Sequence, residues 1–283
     1  MPPTASSQKV ALITGCRSGF GLLTALDAAR AGYRVYAGLR DVSTADDLRA
    51  QAGELPITPV QLDVTRAEER EAVVADILAR EGRIDALVNN AGIAIAGFWE
   101  QFDEDELRSM FEVNVFAAWA LTKLCLPNMR DRRAGVIVNV TSMAGRMATP
   151  GLGMYAGSKF ALEGMSEALR HELRSFGVRV VLVEPGPYKT DIFARNRRMC
   201  RASASELPDG PYARLQAKVT ALFDRMGHKM GDAREVSRLI VRLLDDPTPR
   251  LRYPLGPNVR PRLLIRKLLP FRLEERVVDR VLG

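Results

Sequence analysis

The sequence predicts an α/β fold: one doubly wound domain whose parallel sheet carries helices on both faces. Three observations predict it. Short runs that are apolar throughout alternate with helical runs from Lys9 to Gly186, as expected for strands buried on both sides. A glycine turn, Thr14-Gly15-Cys16-Arg17-Ser18-Gly19-Phe20-Gly21, follows the first strand directly and opens a helix. No repeat, low-complexity block or linker interrupts the chain before about Arg250. With 283 residues, 47% hydrophobic and 27% charged, the composition is that of a folded globular chain.

The elements follow in order. KVALIT (9–14) is a short buried-strand pattern, and a helical run occupies 20–31. YRVYAGL (33–39) is the next strand, with a polar helical segment from Thr44. ITPVQLDV (57–64) reads as a third strand, 66–81 as a helix, and IDALVNNAG (84–92) as a fourth strand ending in a turn near Gly92. Residues 103–127 hold two helical patterns, GVIVNVTS (135–142) a fifth strand, 153–176 a long helix, and VRVVLVEPG (178–186) a sixth strand. The expected division is a body at 1–255, with a substrate-pocket flap at about 187–231, and a basic amphipathic extension at 256–283.

Several function classes drop out. No apolar run approaches the roughly 18 residues of a membrane-spanning helix, and the polar start does not read as a secretory signal. Three scattered cysteines (Cys16, Cys125, Cys200) make no disulfide or zinc framework, so a reducing compartment and a cytoplasmic location are expected. Two distant histidines, His171 and His228, exclude H-E-x-x-H metalloenzymes, and no metal is expected. Of the net charge of +7, nearly all sits in the last 34 residues, where nine basic side chains face three acidic ones. Basicity is therefore a property of the tail, and no specific nucleic-acid binding is expected.

Glycines in the turn permit close backbone approach to a pyrophosphate, and the helix N-terminus offers free N–H groups and a positive dipole end. The spacing is G-x-x-x-G-x-G. Cofactor specificity is read at the end of the second strand, where an acid binds the ribose hydroxyls of NAD and an arginine accommodates the 2′-phosphate of NADP. Here Gly38-Leu39-Arg40-Asp41 places Leu39 at the acid position and Arg40 next to it. Arg17 adds a second positive charge. NADP(H) is the preferred cofactor; NAD(H) stays open, because a slip of one or two residues in register would promote Asp41.

Near the start of the long helix, Tyr155 and Lys159 stand at i and i+4 on one face. A nearby ammonium favours a phenolate and lowers the phenol pKa. The whole set is more specific than this pair. Thr14 to Gly21, Asp63-Val64, Asn89-Asn90-Ala91-Gly92, Asn114, Ser142, Tyr155, Lys159 and Pro185-Gly186 resemble, in order and spacing, the short-chain dehydrogenase/reductase family over residues 10–190. TGCRSGFG, VYAGLRD, SKFALEGMSEALRHEL and the late LRY are similar to its 17β-hydroxysteroid dehydrogenase and retinol dehydrogenase-like branch.

The resemblance implies a Rossmann-type domain with a seven-stranded sheet. It implies Tyr155 as general acid or base, Lys159 as holder of the nicotinamide ribose and depressor of the Tyr155 pKa, and Ser142 as donor to the substrate oxygen. Asn114 would kink its helix and hold a water relaying protons to Lys159. Gly15, Arg17, Ser18, Gly19, Phe20 and Gly21 would hold the phosphates, and Arg40 the 2′-phosphate. Asp63, with Val64, would meet the adenine, and Asn90, Ala91 and Gly92 would flank the adenosine. Pro185, Gly186 and Thr190 would border the nicotinamide. One departure is that relatives preferring NADP often carry a basic residue where this chain has Ser18, one position after Arg17.

Met143, Met147, Met154, Phe193, Met199, Phe223, Met226 and Met230 lie in the expected pocket loops and suggest a lipophilic ketone or alcohol, although the same residues would serve simply to pack the flap. Trp99, Phe102 and Phe111 read as core or interface residues, and Cys16 as a packing residue. The tail reads as two short amphipathic helices split by Pro270. They would dock over the pocket or a subunit interface; the sharper alternative is peripheral attachment to an anionic membrane. The sequence thus indicates an NADP(H)-dependent ketoreductase acting on a small-molecule carbonyl or alcohol, in a homo-oligomer built on the two long helices. A non-catalytic NADP(H) sensor or scaffold is the alternative from another class.

Overall fold

The computed structural model describes residues 8–188, 197–206, 210–227 and 230–282. The strands are β1 (Val10–Thr14), β2 (Arg34–Leu39), β3 (Ile57–Gln61), β4 (Ala86–Asn89), β5 (Ala94–Ala96), β6 (Gly135–Val140), β7 (Val178–Pro185), β8 (Arg197–Met199) and β9 (Arg252–Leu255). Seven of them form one parallel sheet in the order β3-β2-β1-β4-β6-β7-β9. The order reverses between β1 and β4, which opens a crevice at the carboxyl ends of those strands.

The apolar runs explain the layering. Every residue of β1, β4 and β6 is buried, since helices cover both faces of the sheet. On one face, α1 (Gly19–Arg30), α2 (Asp46–Ala52) and helix Ala233–Asp245 contribute Leu22, Leu26, Leu48, Val236, Ile240 and Leu244. On the other, α3 (Ala67–Glu81) and α5 (Ala117–Asp131) contribute Val73, Val74, Ile77, Leu121, Cys125 and Met129. Truncating such a side chain, Ile240→Ala for example, costs about 2–5 kcal/mol.

Several boundaries differ from the sequence reading. β3 stops at Gln61, because the Asp63 carboxylate accepts from the Thr65 backbone N–H (3.0 Å) and hydroxyl (2.7 Å) and turns the chain. α6 (Gly153–Leu173) ends in a single 3₁₀ turn before Gly177, which takes φ +69°. The small parallel pair β5–β8 and the edge strand β9 lack the alternation or length that marks a strand in sequence.

The expectation about membrane-spanning length needs correction. α4 (Glu104–Phe111) runs through a π-helical turn at Glu112–Phe116 into α5, giving a 28-residue helix apolar enough, by length and composition, to cross a membrane. Its buried residues pack on the sheet as a core helix: Leu121, Cys125 and Met129 lie against β4, β6 and α3.

Candidate active site

Two glycines make the floor of the crevice possible. Gly15 takes φ +72°, which only glycine adopts without strain, and a Cβ at Gly21 would overlap the Gly15 carbonyl. Asn90 locks this turn from the end of the neighbouring strand β4: its Nδ2 donates to Thr14 O (2.9 Å) and Gly15 O (3.3 Å). The Thr14 hydroxyl accepts in return from the N–H groups of Asn90 (3.0 Å) and Ala91 (2.9 Å). Ser18 precedes α1 in extended conformation, and no described side chain caps its N-terminus or places an acid in its first turn. Backbone N–H groups there remain available to an anion.

One cleft is lined by Gly15, Arg17, Ser18, Gly19 and Phe20, by Arg40, Asp63, Val64, Asn90, Ala91 and Gly92, and by Ser142, Tyr155, Lys159, Pro185 and Gly186. Gly21 lies beneath its floor and Asn114 beneath the wall; Thr190 lies outside the described residues. At the β2 end, Leu39 is buried in the core while Arg40 and Arg17 are exposed at the rim. Asp41 is occupied as a cap: its Oδ1 accepts from the Ser43 N–H (3.0 Å) and hydroxyl (2.6 Å). Those bonds, with the Arg17 and Arg40 charges, hold its pKa below the ordinary carboxylate value.

At the other end, the Tyr155 hydroxyl and Ser142 share a hydrogen bond. The Ser142 Oγ also accepts from Ala144 N (3.1 Å), which fixes the 3₁₀ turn Met143–Gly145. The Lys159 Nζ donates to Val140 O (3.0 Å) and lies 5.9 Å from the centre of the Tyr155 ring. Asn114 stands inside the π turn, so the expected distortion of its helix is present. Its Oδ1 accepts from Ile93 N (2.9 Å), and its Nδ2 donates to Ile93 O (2.9 Å) and the Ser158 hydroxyl (3.0 Å).

The electrostatics depart from expectation in one respect. Burial raises the Tyr155 pKa to about 12, against a smaller opposing effect from Ser142, and burial lowers the Lys159 pKa to about 8. Desolvation penalises the charged form of each side chain. Burial therefore favours Tyr155 in its phenol form.

Sequence reasoning missed the charges behind this site. Glu163, one turn beyond Lys159, accepts from the Thr141 hydroxyl (2.6 Å) and from Arg252 Nε (3.0 Å). Arg252 also reaches Glu167 (2.5 Å), and Arg146 pairs with Glu184 (3.1 Å), a carboxyl that burial and Glu163 push above its ordinary value. Thr141 lies between Val140 and Ser142, so this network braces the backbone that carries both. A charged residue inside the apolar run VVLVEPG was the available signal for Glu184. Arg198, on β8, also lines the cleft.

Of the expected pocket residues, Met154 packs with Ala94, Ile95, Met110, Tyr155 and Cys200 rather than lining the cleft; Phe193 and the side chains of Phe223 and Met226 lie outside the described residues. Trp99 is exposed, not core, as is His171; His228 lies outside the described residues. All three cysteines are buried and free, and burial raises the Cys16 thiol pKa, consistent with packing. Among the described residues no cluster suits a metal ion.

A parallel doubly wound sheet with a glycine cradle at its switch point, and a Ser-Tyr-Lys constellation at the same carboxyl edge, defines an oxidoreductase of the dinucleotide-binding class. The short chain dehydrogenase model matches residues 9–201, and the chain belongs to the short-chain dehydrogenase/reductase family. The oxidoreductase YusZ of Bacillus subtilis is 36% identical over 283 residues, 98% of this chain and 99% of that protein. The 3-ketodihydrosphingosine reductase of Bacteroides thetaiotaomicron is 33% identical over 89% of each chain. Retinol dehydrogenase 8 of Bos taurus is 32% identical over 94% of this chain and 87% of its own. A short-chain dehydrogenase structure from Streptomyces avermitilis superposes with a TM-score of 0.83 at 35% identity, covering 98% of each chain.

Proposed function

We propose that this protein is an NADP(H)-dependent ketoreductase that interconverts a lipophilic ketone and its secondary alcohol. The observation that carries this reading is the Tyr155–Ser142 hydrogen bond, with Lys159 one turn away, at the edge of a cleft whose far rim carries Arg17 and Arg40. The glycine cradle and open α1 N-terminus fit a pyrophosphate, and two arginines beside a carboxylate engaged by Ser43 fit a 2′-phosphate. Pro185 and Gly186 fit the nicotinamide end, with Thr190 expected beside them. Bound there, the nicotinamide supplies or accepts the hydride.

The chain's own residues handle the proton and the oxygen. Ser142 donates to the carbonyl oxygen, stabilising charge as it develops. Tyr155, held as a phenol by burial, donates its proton to the forming alkoxide; positioned proton transfer of this kind contributes about 10²–10⁴ in rate. Lys159 supports the negative charge left on Tyr155 and binds ribose hydroxyls. Asn114 holds the Ile93 turn and Ser158, so a water relay to Lys159 would start from its backbone carbonyl. A lipophilic substrate is supported by the named activities of the sphingosine-base reductase and retinol dehydrogenase relatives.

Residues 1–255 form the catalytic body in this reading, and 256–283 an appendage. A homo-oligomer is supported by Phe116, Trp119, Phe160 and Met165, which are exposed on or beside the two long helices. A reducing cytoplasmic location suits the free thiols. Screening steroid, retinoid and long-chain ketones with NADPH and with NADH, read at the reduced-cofactor band, tests the proposal. It expects turnover of lipophilic ketones with NADPH preferred; turnover confined to small polar carbonyls, or an NADH preference, would overturn the substrate or cofactor assignment respectively.

A further inference from the structure

The C-terminal helices turn apolar side chains toward solvent. Helix Val259–Leu268 buries Val259 against the body, where a Cβ at Gly186 would overlap it, at the edge of the cleft. Its opposite face is apolar: Leu264, Ile265 and Leu268 are 59%, 53% and 72% exposed. At 100° per residue these three fall within one arc, with Arg260 and Lys267 along one edge and Arg262 along the other. Past Pro270, helix Phe271–Leu282 continues the exposure with Phe271 at 66%, and Arg266 pins the two helices together through Glu274 (3.0 Å). Half of the twelve large exposed hydrophobic residues described in this chain lie between Leu264 and Val278.

A helix with its apolar face outward and cations on both edges matches an interfacial helix: acyl chains receive the apolar face and phosphates receive the arginines. Residues 259–278 carry a net +4, six basic side chains against two acidic, complementary to an anionic surface and unfavourable for stacking the same face on a second copy. Leucines and a phenylalanine between the cations favour lipid over nucleic acid, whose backbone would engage the basic residues alone. We propose that residues 259–278 dock the protein on an anionic phospholipid surface, with Leu264, Ile265, Leu268 and Phe271 inserted at the headgroup boundary. Because Val259 seats on Gly186, docking brings the cleft edge near the bilayer. The docking proposal stands on the tail alone and does not depend on the proposed substrate.

The test is co-sedimentation of the full chain with vesicles of phosphatidylcholine alone and of phosphatidylcholine with 30% phosphatidylserine. The expected result is binding to the anionic vesicles only. Binding falls about tenfold or more in Leu264→Ser/Leu268→Ser, which removes two inserted side chains, and about fivefold in Lys267→Gln. The circular dichroism spectrum and thermal midpoint of the serine variant stay unchanged, which separates lost docking from lost folding. Equal sedimentation with both vesicle types, or undiminished binding of the serine variant, overturns the proposal. So does vesicle-independent behaviour in which Leu264→Ser/Leu268→Ser lowers the oligomeric state by light scattering, since the face is then a contact between copies.

Discussion

Replacing Lys159 by methionine is predicted to stabilise the fold at neutral pH while removing activity. The ammonium is 3% exposed, and burial moves its pKa from 10.5 to about 8. Such a lysine binds fewer protons folded than unfolded, so its cost is fully present below about pH 8 and vanishes as pH rises toward 10.5. The difference corresponds to about 3 kcal/mol. Methionine fills similar volume but leaves Val140 O without its donor (3.0 Å), a loss of about 1 kcal/mol. The net expectation is a gain of about 2 kcal/mol at pH 7, a rise of about 3–4 °C in Tm for a chain of this size. Urea unfolding of both proteins at pH 7 and pH 10.5 reads it directly: the gain at pH 7 should shrink or reverse at pH 10.5. A variant less stable than the parent at pH 7, or a difference independent of pH, would refute the desolvation argument.

Further outcomes follow from the same geometry. In the proposed ketone reduction Tyr155 acts as a phenol and Lys159 as an ammonium, so kcat/KM should decline above about pH 8, where the lysine loses its proton; a profile flat to pH 10 contradicts this. Arg40→Ala should raise KM for NADPH about tenfold, the value of one exposed charge-assisted contact, and leave KM for NADH within twofold; equal changes for both cofactors refute the 2′-phosphate assignment. Arg252→Met leaves Glu163 and Glu184 facing each other, with Arg146 paired to Glu184 and the Lys159 charge near Glu163, and should cost about 3–5 kcal/mol in urea unfolding; a loss below 1 kcal/mol would show that the network does not brace the site. Gly21→Ala should abolish cofactor binding or folding, because its Cβ meets rigid backbone at Gly15; wild-type cofactor affinity would refute the cradle.

The sheet was legible because its central strands are buried on both faces, which leaves uninterrupted apolar runs such as VALIT and VRVVLV. The cradle was legible because φ +72° at Gly15 and the contact at Gly21 demand glycine at fixed spacing. β9 and β5–β8 were not, since three- or four-residue edge strands carry no periodicity of their own and pair by tertiary context. Lys159 and Tyr155 could be placed on one helical face by spacing alone. The direction of their pKa shifts could not, because it depends on how much water the fold removes, and spacing says nothing about desolvation. The Glu163–Arg252 pair, 89 residues apart in sequence, is likewise a product of topology, with β9 laid beside β7.

The most direct test of the account is the Tyr155→Phe variant in single turnover with NADPH and the best ketone from the screen. Removing one hydroxyl should lower the rate by about 10²–10⁴ while NADPH affinity, measured by fluorescence titration, stays within twofold. A rate within a factor of three of the parent protein, with cofactor still bound, would contradict the assignment of Tyr155 as the proton donor.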